Sequence, residues 1–321
     1  MKSKIVGSIF CVAAYFLTVI VADAKPWTLN LGNYGTAVVS DGKYLYVVEG
    51  SGSSFARSGI ERVDLESGNC IELPVNLIPR RFHAAILIDR EIYIFGGEAE
   101  EGCIATCQSV NLDTLVVKRL GAMPTKRRGL SAVIAGGLIY TIGGSESQWS
   151  DHFSREATVE VYDPALKKWY QGKPMPAAKE VPAILAGKYI YTMGGYNGGG
   201  QSLSTCARYD LENGFWSVLP DAPFQLSACS ATNIGRAIVF FGTYDKISQV
   251  VAYIPKTGVW VELKIPFTPR RHSSACTVGG KVYVVGGVTE SPSSGMTLIE
   301  QFSVADLERA IVTAVTEKTP R

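Results

Sequence analysis

Four stretches of this chain end alike: "IYIFGG" at residues 92–97, "IYTIGG" at 139–144, "IYTMGG" at 190–195 and "VYVVGG" at 282–287. Each is a run of β-branched and aromatic residues closed by two glycines, the composition of a buried strand running into a turn. "LYVVEG", ending at Gly50, and "IVFFGT", ending at Thr243, are degenerate copies that fill the gaps. Counted from the first residue of each closing pair, the copies stand at Glu49, Gly96, Gly143, Gly194, Gly242 and Gly286, a period of 44 to 51 residues. Such a period marks a supersecondary unit that buries its faces against copies of itself.

Each unit has further parts in a fixed order. Eleven residues before the anchor sits a small residue inside another short strand: Ala85, Ala132, Ala183, Ala231 or Ala275, with Val38 in the first unit. After the glycines come a loop and then "VEVYDPALKKW", "ARYDLENGFW" or "VAYIPKTGVW", in which Tyr162, Tyr209 and Tyr253 precede Trp169, Trp216 and Trp260 by seven residues. That is a strand, a tight turn and a fourth strand; Val63 and Cys70 hold the same places in the first unit.

Four short antiparallel strands, repeated six times, describe an all-β, six-bladed β-propeller. The paired glycines, the Tyr-Asp and the spaced tryptophan together resemble the kelch repeat, over residues 34 to about 310. The resemblance implies a ring closed by strands from both chain ends. "KPWTLNL" (25–31), with Trp27 in the tryptophan role, and "RAIVTAV" (309–315) compete for the last strand of the last blade.

Lys2 and Lys4, the apolar run Ile5–Val21 and the small-x-small Ala22-Asp23-Ala24 read as a secretory signal peptide. The expected organisation is therefore a leader over residues 1–24 and a kelch propeller over 25–321, in a secreted or periplasmic protein with no stable membrane insertion after cleavage. The mature chain carries 29 basic and 28 acidic side chains, which argues against a general nucleic-acid binder. Six cysteines remain; Cys103 and Cys107 share one short segment and are the expected disulfide, with Cys70, Cys206, Cys229 and Cys276 unassigned. No Cys/His spacing suits zinc and no loop suits a nucleotide phosphate, so no metal or cofactor is expected.

A propeller fold says little about activity, so function has to come from the loops. Segments entering each first strand share one face with the loops after the glycines. Fifteen residues before the anchors stand Tyr34, Arg81, Arg128, Lys179, Ser227 and Arg271; one place earlier stand Asn33, Arg80, Arg127, Ala178, Leu226 and Arg270. In kelch propellers the first strand is innermost, so the resemblance implies a cationic mouth on the axis, suited to a carboxylate, phosphate or acidic peptide. The competing reading is local ion pairing between blades. Glu98, Glu146, Tyr196 and Asn197 belong to the same face, as does the long loop "SESQWSDHFSREA" (145–157) with the off-pattern Trp149 as a candidate anchor. His83 and His272 adjoin the double arginines, where an exposed imidazole would favour its neutral form and exchange a proton near neutral pH.

Two classes of function follow. One is a non-catalytic propeller that grips a protein or an acidic glycan through Arg81, Arg128, Lys179, Arg271, His272, Trp149, Tyr196 and Asn197. The other rests on similarity to the exported six-bladed sialic acid mutarotases (N-acetylneuraminate epimerases). It implies an acidic sugar held on the axis by arginines, with Glu98 or Glu146 and His83 as the acid/base pair.

Overall fold

The computed structural model describes residues 26–52, 56–146, 157–197, 201–289 and 295–318. The leader expected over 1–24 and Trp149 lie outside the described residues.

Six four-stranded antiparallel sheets form the ring. Their first strands are Ala37–Ser40, Ala84–Ile88, Ser131–Ala135, Ala183–Ala186, Ser230–Asn233 and Ser274–Val278. Each packs beside the first strand of both neighbouring blades, which places the six around one axis. The small residues of the repeat, Val38, Ala85, Ala132, Ala183, Ala231 and Ala275, all line an axial channel of about 210 Å³. Where six strands converge, larger side chains would collide, and the repeated alanine is the result.

The seven-residue Tyr-to-Trp spacing becomes a cross-strand pair. Tyr162 faces Trp169, Tyr209 faces Trp216 and Tyr253 faces Trp260, with ring centroids 5.0, 5.3 and 4.9 Å apart. Val63 faces Cys70 at the same place in blade one. The indole N–H of Trp169 donates to the Gly121 carbonyl, and that of Trp216 to Lys173, so each indole ties its blade to the segment leading into it. The glycine pairs are required sterically. Gly96 has φ +58°, and a Cβ there would stand 2.6 Å from the Arg127 carbonyl oxygen of the next blade.

The N-terminal strand Trp27–Asn33 closes the ring as the outermost strand of blade six, pairing with Met296–Ser303. Trp27 stacks on Tyr283 at 5.9 Å, but it pairs across from Ile299 and not from Phe302 at the tyrosine place, so it lies three residues out of the tryptophan register and faces blade one. Its competitor is not a strand: Val304–Lys318 is a helix, α1. Leu307 and Ile311, four residues apart and both buried, dock it on the apolar flank of blades five and six. The β-branched run within "RAIVTAV" suggests a strand, but the 3.6-residue apolar period decides.

Candidate functional site

Each first strand is entered through the same short device. Its first position holds Asn33, Arg80, Arg127, Lys179, Leu226 and Arg270 around the ring, because the carbonyls of Asn33, Arg80, Arg127, Lys179 and Leu226 accept from the second residue of the preceding blade's closing pair. Arg80, Arg127 and Arg270 are fully buried and point away from the mouth into their own blades. Arg127 Nη2 meets Glu160 Oε2 at 2.7 Å and Thr141 Oγ1 at 3.0 Å, while Nη1 donates to the Gly143 carbonyl. Arg270 Nη1 pairs with Glu300 Oε2 at 2.7 Å, and Arg80 Nη2 donates to Gln108 Oε1 at 2.6 Å. Arg80 Nε also lies 3.2 Å from Glu49 Oε2, yet burial dominates there and holds the Glu49 carboxyl well above its ordinary range.

A sequence signal for this clamp exists. Gln108, Glu160 and Glu300 sit two residues before the tyrosine place of strand three in the three blades that have the arginine, although blade one also carries Glu61 there, with Asn33 at the arginine position. Blade five has Leu226 and Val251 in the two positions instead.

This register corrects one residue of the cationic mouth. Lys179 belongs to the buried clamp series: its Nζ donates to the Thr205 carbonyl and Oγ1 at 2.8 and 3.1 Å, and burial lowers its pKa to about 8. Glu180 takes the mouth position in blade four, pairing with Tyr196 as Arg128 pairs with Ser145. Counting back from the anchor misplaces blade four because its entrance is one residue shorter, "KEVPA" (179–183) against "RRGLSA" (127–132).

The mouth is therefore Tyr34, Arg81, Arg128, Glu180, Ser227 and Arg271. Arg81 and Arg128 share Glu98, whose Oε2 lies 3.0 and 3.2 Å from them, and Arg128 also approaches Glu180 at 4.0 Å. Arg81 Nη1 donates to Tyr34 Oη at 3.2 Å. Local ion pairing thus accounts for two of the three arginines. Arg271 differs: its guanidinium lies 4.1 Å from the centre of the Tyr244 ring and makes no ion pair among the described residues.

Beneath the mouth is a cavity of about 390 Å³ whose wall includes Phe82, Arg128, Glu180, Tyr196, Tyr244 and His272. Phe82 and His272 meet edge to face at 5.2 Å. Cys229, Ser227 and His83 line the same space. Asn197 does not line it; its side chain closes the base of its own loop by accepting from Gln201 N.

The acid/base pair expected from Glu98 or Glu146 with His83 is not assembled. Glu98 is buried and held by two arginines, and His83 is only 5% exposed with neither ring nitrogen in a well-formed hydrogen bond. Burial, then Arg80, pushes its pKa down to about 3. Glu146, half-buried, forms no ion pair among the described residues. His272 is likewise held near 3, by burial and then Arg271, Arg128 and Arg81. Both imidazoles stay neutral near pH 7 but cannot take up a proton there.

The expected Cys103–Cys107 disulfide is also corrected, since both thiols are free. Cys103 Sγ donates to the Ser145 carbonyl at 3.4 Å, whereas Cys107 is buried between blades two and three. Proximity in sequence misled because Cys103 ends a small hairpin with Glu98–Ala99, and Cys107 begins strand three.

Comparison with known proteins matches this architecture. The KLHDC2/KLHL20/DRC7 Kelch-repeats domain model matches residues 35–243, and the Kelch motif model residues 269–305. The chain is 24% identical to Kelch domain-containing protein 3 of Homo sapiens over 328 aligned positions, covering 87% of this chain and 84% of that protein. It is 25% identical to Beta-scruin of Limulus polyphemus, covering 70% of this chain and 27% of that protein. For Kelch-like protein terF of Aspergillus terreus the identity is 25%, covering 65% and 50%. The chain thus spans half or less of the length of the last two. With the glycine pairs, the Tyr–Trp hairpins and the six-bladed ring in place, the chain belongs to the kelch-repeat family.

Proposed function

We propose that this propeller is a binding module that receives an acidic group of a protein partner in the axial cavity of its loop-rich face. The observation that carries the reading is Arg271: beside a cavity whose other arginines are already paired, it lies over the Tyr244 ring and meets no carboxylate among the described residues. Charged groups in a partly desolvated mouth recognise the opposite charge more strongly than surface residues do. Phe82, Tyr196 and Tyr244 supply the amphipathic walls typical of a recognition site. The leader-like sequence of residues 1–24 makes export part of the same proposal, and N-terminal sequencing of the secreted chain should then read Lys25 first.

The test is to pan a displayed library of random peptides, free of terminal charges in the randomised stretch, against the mature chain, with an array of acidic glycans in parallel. Enrichment of Asp or Glu at one peptide position is expected. Selection of basic or uncharged peptides, or binding of acidic glycans alone, would sink the reading.

A further inference from the structure

Five of the six entrances carry a left-handed residue directly after the mouth position. Gly35, Phe82, Gly129, Ala228 and His272 have φ of 61, 52, 61, 54 and 53°. Three of these carry a side chain, so something must hold them there. Their backbones form a belt around the cavity. His272 N donates to Ala228 O at 2.7 Å, Gly35 N to His272 O at 3.0 Å, Phe82 N to Gly35 O at 2.7 Å and Gly129 N to Phe82 O at 2.8 Å.

Blade four lacks the sixth member, because its entrance is the one shortened by a residue. The belt is consequently open at one place. The Gly129 carbonyl and the Ala228 N–H, which the sixth residue would join, have no hydrogen-bond partner among the described residues, and both residues line the cavity. Both residues are partly exposed on the cavity wall, so these two backbone groups are open to an entering ligand's hydrogen bonds.

We propose that a partner polypeptide supplies the missing residue. One residue of a turn enters at blade four, gives its N–H to the Gly129 carbonyl and takes the Ala228 N–H on its own carbonyl, completing the belt. Every resident member is left-handed, so the entering residue is a glycine or an asparagine, the residues that adopt that conformation at least cost. Glu180 and Tyr196 flank the opening on one side and Ala228 on the other. The inference rests on the cavity being the recognition site, but not on the acidic group: a partner can close the belt whether or not it also reaches Arg271.

The experiment begins on the unliganded full chain, by amide hydrogen exchange. Gly35, Phe82, Gly129 and His272 should be protected, and Ala228 should exchange at least about 100-fold faster. A glycine inserted between Glu180 and Val181 should close the belt from within, protecting Ala228 without lowering the melting temperature. Capped peptides selected on the cavity should lose at least about tenfold in affinity when their glycine is N-methylated, and not when a neighbouring residue is. The proposal is overturned if Ala228 is as protected as the other four in the free chain, or if N-methylation of the glycine changes nothing. It is overturned equally if the insertion variant folds with Ala228 still exchanging rapidly. Should that variant not fold, the first and third measurements decide. Loss of acid selectivity with retention of the N-methyl effect would remove the charge reading alone.

Discussion

Replacing Arg127 by Leu tests whether the buried clamps hold their blades as paired charges. Arg127 and Glu160 are both essentially inaccessible, and Arg127 also supplies donors to the Gly143 and Thr158 carbonyls and to Thr141 Oγ1. Removing one member of a buried pair leaves the other charge uncompensated, at about 3–5 kcal/mol, or a fall of about 6–10 °C in melting temperature for a chain of this size. Glu160→Val should cost about as much for the same reason. The double variant reproduces what blade five already has in Leu226 and Val251. It removes both charges but leaves two carbonyls without their donor, so its cost should be only about 1–3 kcal/mol. A double-mutant cycle in urea, followed by circular dichroism, should therefore show the pair less damaging together than either change alone. If the two single costs simply add, the clamp is not a charge pair in the sense described.

Other consequences are as direct. His83 is held near 3, below its unfolded value, so its contribution to stability is complete above about pH 6.5 and is lost as pH falls toward 3. Glu49, held high, acts oppositely, favouring the fold as its carboxylate is protonated. Blades three and four have Leu130 and Val181 at the His83 place, so His83→Leu should lessen the loss between pH 6.5 and 5 by up to about 1.4 kcal/mol per pH unit; superimposable wild-type and variant curves would refute this. Trp27→Ala should cost about 2–4 kcal/mol, because the stack on Tyr283 closes the ring; a melting temperature within 1–2 °C of wild type, on the order of 1 kcal/mol or less, would deny the N-terminal strand that role. Intact mass after alkylation of the denatured, unreduced chain should show Cys103 and Cys107 both modified, and a protected pair would restore the disulfide.

The ring, its blade number and the inward small residues are legible in the sequence because each blade repeats the same packing problem at the same place. The Tyr-to-Trp spacing is equally readable, being a hairpin register. What escapes is anything decided between repeats. The one-residue shortening in "KEVPA" moves Lys179 from the mouth into the blade and brings Glu180 out, a change invisible when counting back from the glycines. Arg80 and Arg81 look equivalent as neighbours, yet one is buried in its blade and the other faces the axis, since successive residues of an extended segment point to opposite sides. The neighbouring charges suggest exposed histidines, but packing buries His83 and places His272 against Phe82.

Arg271 carries the proposed recognition of an acidic group. A capped acidic peptide selected on the wild-type chain should be titrated by calorimetry into wild type and into Arg271→Glu, with hydrogen exchange confirming the same fold in both. A lost charge-assisted contact is worth about 1.5–3 kcal/mol, so the variant should bind at least about tenfold more weakly and the wild-type affinity should fall with added salt. Equal affinities for the two chains would contradict it.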